Sequence, residues 1–537
     1  MNNKRINKKF NKKFIFSSIL LIFVSFFVNY FVASRGVFPV DTFIHFDPGY
    51  RILNGELPIK DYWIVHGLLV DYLQAIFFFI FGANWIAYLI HSSFFNSVIS
   101  LFLFYFFFRY LKINLGESLF FSFLVGFLAY PVSGTPFLDL HSSYFSLFAI
   151  ILIMISMIEN KKDHYWFYSG ILFVAAFLCK QVPASYVILV TSIFCLFYSL
   201  SKKNYKIILY YSVGGLSAVF FTIIFLLAQN VNLYDLVLQL FLFPTSIGES
   251  RYLGYELNFS SIFLNYKFIY LLLASIFFII FYKKKINKKV FIEKKFGVFF
   301  IFFLYVLASI FHQIYTKNQI YIFFLIPTLG AFSIYFLNDS KIRKKKYLKF
   351  FIILFCLVVS LKYIKRFDLD RKFHELKGVN IGNSYNFEKF DKKFKGLYWI
   401  SPYFLNPEDE ISKIKKLREV ITKNNQNIML LTEYKFFSLL MNQRLNSPSR
   451  TFDDISYPKK NSKYFLKYKI FLKKLIINNE INSVLIFESK KIDNTRLEHL
   501  VFDYISSDCF KRVKISEYIL KLDITNCEDL SINEKKI

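Results

Sequence analysis

Cysteine is scarce in this 537-residue chain, and the five present form neither a CxxC pair nor a Cys/His pattern with metal-ligand spacing. That excludes a zinc module and a disulfide-dense scaffold. Three of the five (Cys179, Cys195, Cys356) fall in apolar segments, where a thiol is ordinary packing, while Cys509 and Cys527 lie in the polar C-terminal region and can pair if it is exported. Acidic residues are the minority sign, 37 against 67 Lys and Arg. The excess of 30 positive charges suggests nucleic acid until its location is considered, because it sits in short clusters between apolar runs. Such clusters set membrane topology, and no stacking platform accompanies them, so nucleic acid is not an expected partner. The apolar runs lack the period-two alternation of a membrane barrel, and no internal repeat is visible.

What is present is hydrophobic bulk. Apolar residues make up 55% of the chain and are concentrated in its first two thirds, in runs of about 20 residues that fit membrane-crossing helices. The basic start MNNKRINKKFNKK precedes a run from Phe14 to about Ala33 without a small-residue cleavage site, which predicts an uncleaved first helix with a cytoplasmic N-terminus. Further spans are expected at 85–108, 117–135, 141–158, 165–180, 183–200, 207–228, 258–282, 296–314, 320–338 and 349–364, about eleven in all. The segment 66–82 is apolar but short and holds Asp71 and Gln74, so it reads as an interfacial helix. With it excluded, Arg109/Lys112, Lys161/Lys162, Lys202/Lys203/Lys206, Lys283–Lys289 and Lys341–Lys346 all fall on the inside. The Phe runs Phe77–Phe79 and Phe106–Phe108 read as lipid-facing bulk.

The fold class expected is therefore an α-helical polytopic membrane protein, residues 1–364, followed by an extracytoplasmic soluble α/β domain, residues 365–537. In the tail, 408–424 and 464–477 read as helices, 428–431 and 483–487 as short buried strands, and 509–524 as a terminal strand pair.

The external loop 35–84 is unlike the others, carrying Asp41, Asp47, Glu56, Asp61 and Asp71. Asp47-Pro48-Gly49 with Gly55 has the pattern of a capped short helix, Asp47 as N-cap and Gly55 as stop. Asp41 has no such local explanation. It is either a solvated loop carboxylate, a general base for an acceptor hydroxyl, or a ligand of a divalent cation that neutralises a phosphate. Asp139 and His141 open a span from its external end, as a helix cap or as a second carboxylate with an imidazole facing Asp41. Lys180 ends a span on the external side against the charge rule, and Arg251, His312 and Lys317 are further external polar groups. Cations and carboxylates gathered on one side suit a phosphate-linked lipid substrate.

The stretch DTFIHFDPGYRILNGELPIKDYWIVHGLLVDYLQAIFFFIFG, after an uncleaved first helix, resembles the GT-C superfamily of membrane glycosyltransferases. Within it, the resemblance is to the branch of dolichyl-phosphate-mannose protein mannosyltransferases and bacterial lipid A aminoarabinose transferases. The likeness implies a bacterial inner-membrane enzyme that transfers a sugar, with inversion, from a polyprenyl-phosphate donor to an external lipid-linked glycan or protein. It implies Asp41, not Asp47, as the first-loop catalytic carboxylate, Asp139 as the second-loop acid, and Lys180 as a phosphate ligand; Asp47 stays the alternative catalytic residue apart from that likeness. Arg251, His141, His312 and Lys317 complete the expected substrate-binding set. The family's usual acidic pair is Asp41-Thr42 here, and Leu68 replaces the usual Pro, which leaves a divalent cation open. A transporter or flippase of polyprenyl-linked saccharides is the alternative reading.

Overall fold

The computed structural model describes residues 12–159, 163–253, 258–282, 294–316, 321–340, 342–404, 406–424, 426–453, 455–488, 497–525 and 527–530. Most of the N-terminal basic stretch, the clusters at 161–162 and 283–289, and Lys317 lie outside them. Among the described residues, eight helices are long and apolar enough to cross a membrane, beginning with Lys12–Ala33 and ending with Lys345–Leu369. Three further expected spans are shorter: His164–Cys179 has 16 residues, and Lys267–Phe281 and Leu325–Asp339 have 15 each. At 1.5 Å per residue a 15-residue helix covers about 23 Å of a hydrocarbon core about 30 Å thick. The run expected at 117–135 stops at Leu128, because Pro131 follows in a tight 3-10 turn, Tyr130–Val132.

Packing among the helices relies on small and polar residues, as expected where hydrophobic burial gives no preference between protein and lipid. Asn29 donates to Ser92 Oγ at 3.0 Å and to the Gly134 carbonyl at 3.0 Å, and Asn96 donates to the carbonyls of Ser25 and Gly126 at 2.7 and 2.8 Å. The helices His164–Cys179 and Lys206–Ala228 cross where Gly170 and Gly214 face each other's backbone. A methyl group on either would fall 2.3 or 2.0 Å from a carbonyl oxygen of the opposite helix. Large apolar side chains such as Leu216, Phe221 and Phe350 remain exposed around the bundle, a surface that lipid would cover. Phe79 is exposed as expected, whereas Phe106 and Phe107 are buried in the core, where a π-helical segment, Phe106–Tyr110, turns them inward.

The short helix Leu69–Phe81 inverts the usual amphipathic logic. Asp71, Gln74, Ala75 and Phe78 are buried, and Ile76, Phe79 and Ile80 face outward.

Downstream of the last long helix the chain builds an α/β layer. Asn406 caps the helix Pro407–Lys423, with Pro407 at its first position and three carboxylates in its first turn, all favourable to a helix start. Strands Ile428–Thr432 and Ser483–Phe487 pair in parallel and are buried at every position, with the helix Phe465–Asn478 as crossover. Ile519–Ile524 adds antiparallel, and Phe510–Lys514 forms the edge, where Lys511, Arg512 and Lys514 discourage further pairing. Cys509 and Cys527 form a disulfide beside this strand pair.

This layer is fused to the first loop. One of its cores contains Phe43, Phe46 and Trp85 together with Trp399, Ile414, Leu430 and Phe436, and the other joins Trp63 and Val65 to Leu431, Tyr468 and Ile486. Backbone pairing continues across the boundary, Gly36 N–H to the Tyr398 carbonyl at 3.0 Å and Trp63 N–H to the Pro448 carbonyl at 2.8 Å.

Candidate functional site

Asp41 sits in the one-turn helix Pro39–Thr42, immediately after the paired segment Gly36–Val37. Thr42 Oγ1 accepts the Phe38 N–H at 2.9 Å and fixes the turn. The Asp41 carboxylate has no hydrogen-bond partner among the described residues and keeps some contact with solvent. Enclosure by protein, followed by the nearby charges of Asp453 and Asp139, pushes its pKa up to about 7, against the pull of Lys180.

Asp139 is the second residue of the helix Leu138–Glu159. Its Oδ2 meets Lys180 Nζ at 2.7 Å, and its Oδ1 lies 3.6 Å from His312 Nε2. Lys180 therefore does not snorkel freely. It stands at the break between the helices His164–Cys179 and Gln181–Lys202 with extended backbone, and its carbonyl accepts a hydrogen bond from Ser142 Oγ. A small cavity of about 80 Å³ opens on Lys180 and His312 beside Gln181, Val65 and Tyr315.

Gly67 brings the first loop onto this break. A Cβ at this position would lie 1.9 Å from the Leu178 carbonyl oxygen and 2.8 Å from the Cys179 carbonyl carbon, so the approach requires glycine. Gly67→Ala is expected to separate the loop from the end of the helix, at a cost of about 3 kcal/mol or more, since backbone and not a side chain stands in the way. Thermal unfolding in detergent checks this, and an unchanged midpoint would contradict it.

Two further polar groups flank the site. Asp71 accepts from His45 Nδ1 at 2.6 Å and from Arg450, and Arg450 also donates to the Gly67 carbonyl at 3.1 Å. His45 is fully enclosed, and burial lowers its pKa. A second chain runs Gln74–His91–His141–Tyr130, with 2.8 Å between Gln74 Oε1 and His91 Nδ1 and 3.1 Å between the His91 and His141 Nε2 atoms. His141 is thus fully buried, with each ring nitrogen bonded to protein, and does not reach the Lys180 cavity.

Asp47 is not the cap of its own helix. That helix, Phe46–Leu53, starts two residues earlier than expected, with His45 at the N-cap position, and ends, as expected, at Asn54–Gly55 with Gly55 at φ +82°. The Asp47 carboxylate instead accepts the backbone N–H of Ser438 at 3.1 Å and its hydroxyl at 3.0 Å, capping the short helix Phe437–Met441. Arg51 accompanies it, donating to Glu56 at 2.7 Å and to the Ser447 carbonyl at 3.0 Å, and Lys435 is buried close by.

Of the residues singled out in the sequence, Asp41, Asp139, Lys180 and His312 converge. Asp47 and His141 serve other contacts. Arg251 falls in the helix Phe243–Leu253, and its side chain lies outside the described set, as does Lys317 altogether. Asp453 and Arg450 have no local sequence signal, because they reach the first loop from about 400 residues away. Asp71 carried one, a carboxylate inside an apolar helix. Among the described residues no group of three or more His, Cys, Asp or Glu side chains is arranged to hold a metal ion. No protein-family model matches this chain, and no curated protein is similar enough to it to be matched.

Proposed function

We propose that the chain is an inverting membrane glycosyltransferase that moves a sugar from a polyprenyl-phosphate donor to an external acceptor, a lipid-linked glycan or a protein. The observation that carries this reading is Asp41: a carboxylate free of hydrogen bonds among the described residues, with a pKa of about 7, close to a lysine–carboxylate–histidine group. A base with that pKa removes a hydroxyl proton at physiological pH far better than an ordinary aspartate that is salt-bridged.

In this mechanism Asp41 takes the proton of the acceptor hydroxyl as its oxygen bonds to the anomeric carbon. The bond from that carbon to the phosphate oxygen breaks on the opposite face, and its electron pair leaves with the lipid phosphate. Lys180, positioned by Asp139, and His312 meet the growing phosphate charge. Arg251 and Lys317 are further cations proposed for that phosphate. The disulfide Cys509–Cys527 supports an extracytoplasmic C-terminal region, and with it an N-terminus on the cytoplasmic side of a bacterial plasma membrane.

The test is transfer of radiolabel from hexosyl and pentosyl polyprenyl phosphates to endogenous acceptors, in membranes containing or lacking the protein. Protein-dependent label on a glycan or protein is the expected result. Movement of intact labelled lipid between leaflets, without any transfer, would replace the enzyme with a flippase.

A further inference from the structure

A second and larger cleft, of about 460 Å³, lies where the first loop meets the turn after the helix Lys206–Ala228 and the crossover helix Phe465–Asn478. That volume falls within the range of about 300–1,000 Å³ typical of small-molecule sites. The cleft is bordered by Trp63, two residues before the Val65 that borders the Lys180 cavity.

Three features define what it accepts. The first is charge. Lys60, Lys467 and Lys474 line the cleft with Asp61 and Asp235. Asp61 is already answered by Arg444 at 3.0 Å and by the Leu57 N–H at 2.7 Å, so the three lysines face Asp235 alone. The balance favours an anion. The second is the amide content. Asn230 and Asn478 line the cleft with side chains that make no hydrogen bond to protein among the described residues, and Asn232 spends its oxygen on the Tyr234 N–H. Each amide offers donor and acceptor together, the pairing that a vicinal diol satisfies. The third is aromatic surface. Tyr234 and Phe471 line the cleft, and the buried Trp63 ring packs edge-on behind Phe471 at 5.6 Å.

We infer that this cleft binds an anionic saccharide, a sugar chain bearing carboxylate or phosphate, and presents it to the neighbouring site as acceptor. Amides take the hydroxyls, Tyr234 and Phe471 meet the apolar ring faces, and the lysines take the acidic group. The acceptor role rests on the transfer reaction proposed above; the binding does not.

The experiment is calorimetric titration of the purified full chain in detergent, without donor, with tetragalacturonic acid, maltotetraose and inorganic phosphate. Tetragalacturonate is expected to bind at least tenfold tighter than maltotetraose. Lys474→Glu and Asn478→Ala, both at exposed positions, are each expected to weaken it about tenfold with unchanged thermal midpoints. Equal binding of the neutral chain overturns the anionic preference, and full competition by millimolar phosphate reduces the cleft to an anion site and overturns the saccharide. Binding by neither chain, or binding indifferent to both substitutions, overturns it altogether. A protein that binds tetragalacturonate as described and transfers no sugar keeps the cleft and loses the enzyme.

Discussion

Asp41→Asn is expected to lower sugar transfer by 10²- to 10⁴-fold, the usual contribution of a positioned general base, while leaving the protein folded. The amide is nearly isosteric, and the carboxylate it replaces makes no hydrogen bond among the described residues. In the wild type kcat/KM should rise with pH through a limb near 7, because Asp41 works only after losing its proton. Asp453→Asn should move that limb to lower pH, since the Asp453 charge is one of the forces holding the proton on Asp41. The same shift has a sign for stability. The folded state holds this proton up to about pH 7 and the unfolded chain releases it near its ordinary value of 3.8, so Asp41 contributes stability at low pH that is lost as pH rises between those values. Asp41→Asn should therefore unfold no earlier than wild type at pH 8. Full activity in that variant, or a flat profile from pH 5.5 to 8.5, would remove Asp41 from the mechanism.

Asp47→Ala is expected to do the opposite, with a loss of stability of about 3–5 kcal/mol and little specific effect on chemistry in whatever protein remains folded. It leaves the Ser438 N–H and hydroxyl unpaired and removes the main countercharge of buried Lys435, one that Arg51 shares with Glu56. The C-terminal layer should become protease-sensitive while the membrane helices stay protected. Asp47→Asn should be milder, because an amide oxygen still accepts from Ser438. Limited proteolysis alongside transfer per folded molecule separates the two aspartates, and an Asp47→Ala protein that is stable but inactive would reverse their assignments.

The two residues also show what was legible beforehand. The elements were: hydropathy runs gave the long helices, the one-sided apolar pattern of 408–424 gave the first helix of the tail to within a residue at each end, and the apolar runs from 428 and 483 gave two buried strands. Span ends were less so, because Pro131 ends a run that hydropathy alone carries to 135. For the site, Lys180 was visible as a cation against the charge rule, and its partner Asp139 was on the same expected face. Asp47 was misread because local grammar reports that a helix starts, not where its carboxylate goes. Ser438, Arg450 and Asp453 were out of reach, because their contacts depend on how two segments about 400 residues apart pack together.

That packing governs assembly in time. The segment just before Asp41, Gly36–Val37, pairs by backbone with Tyr398 and Ile400, and the Asp41 carboxylate feels Asp453. At about 5–20 residues per second, synthesis takes roughly 20–80 s to travel from the first loop to these partners. For that interval the loop exists without its counterpart. The nascent chain is therefore threaded into the bilayer before its first loop is complete, and a chain cut short anywhere before the layer would carry the membrane helices without the partners of that loop.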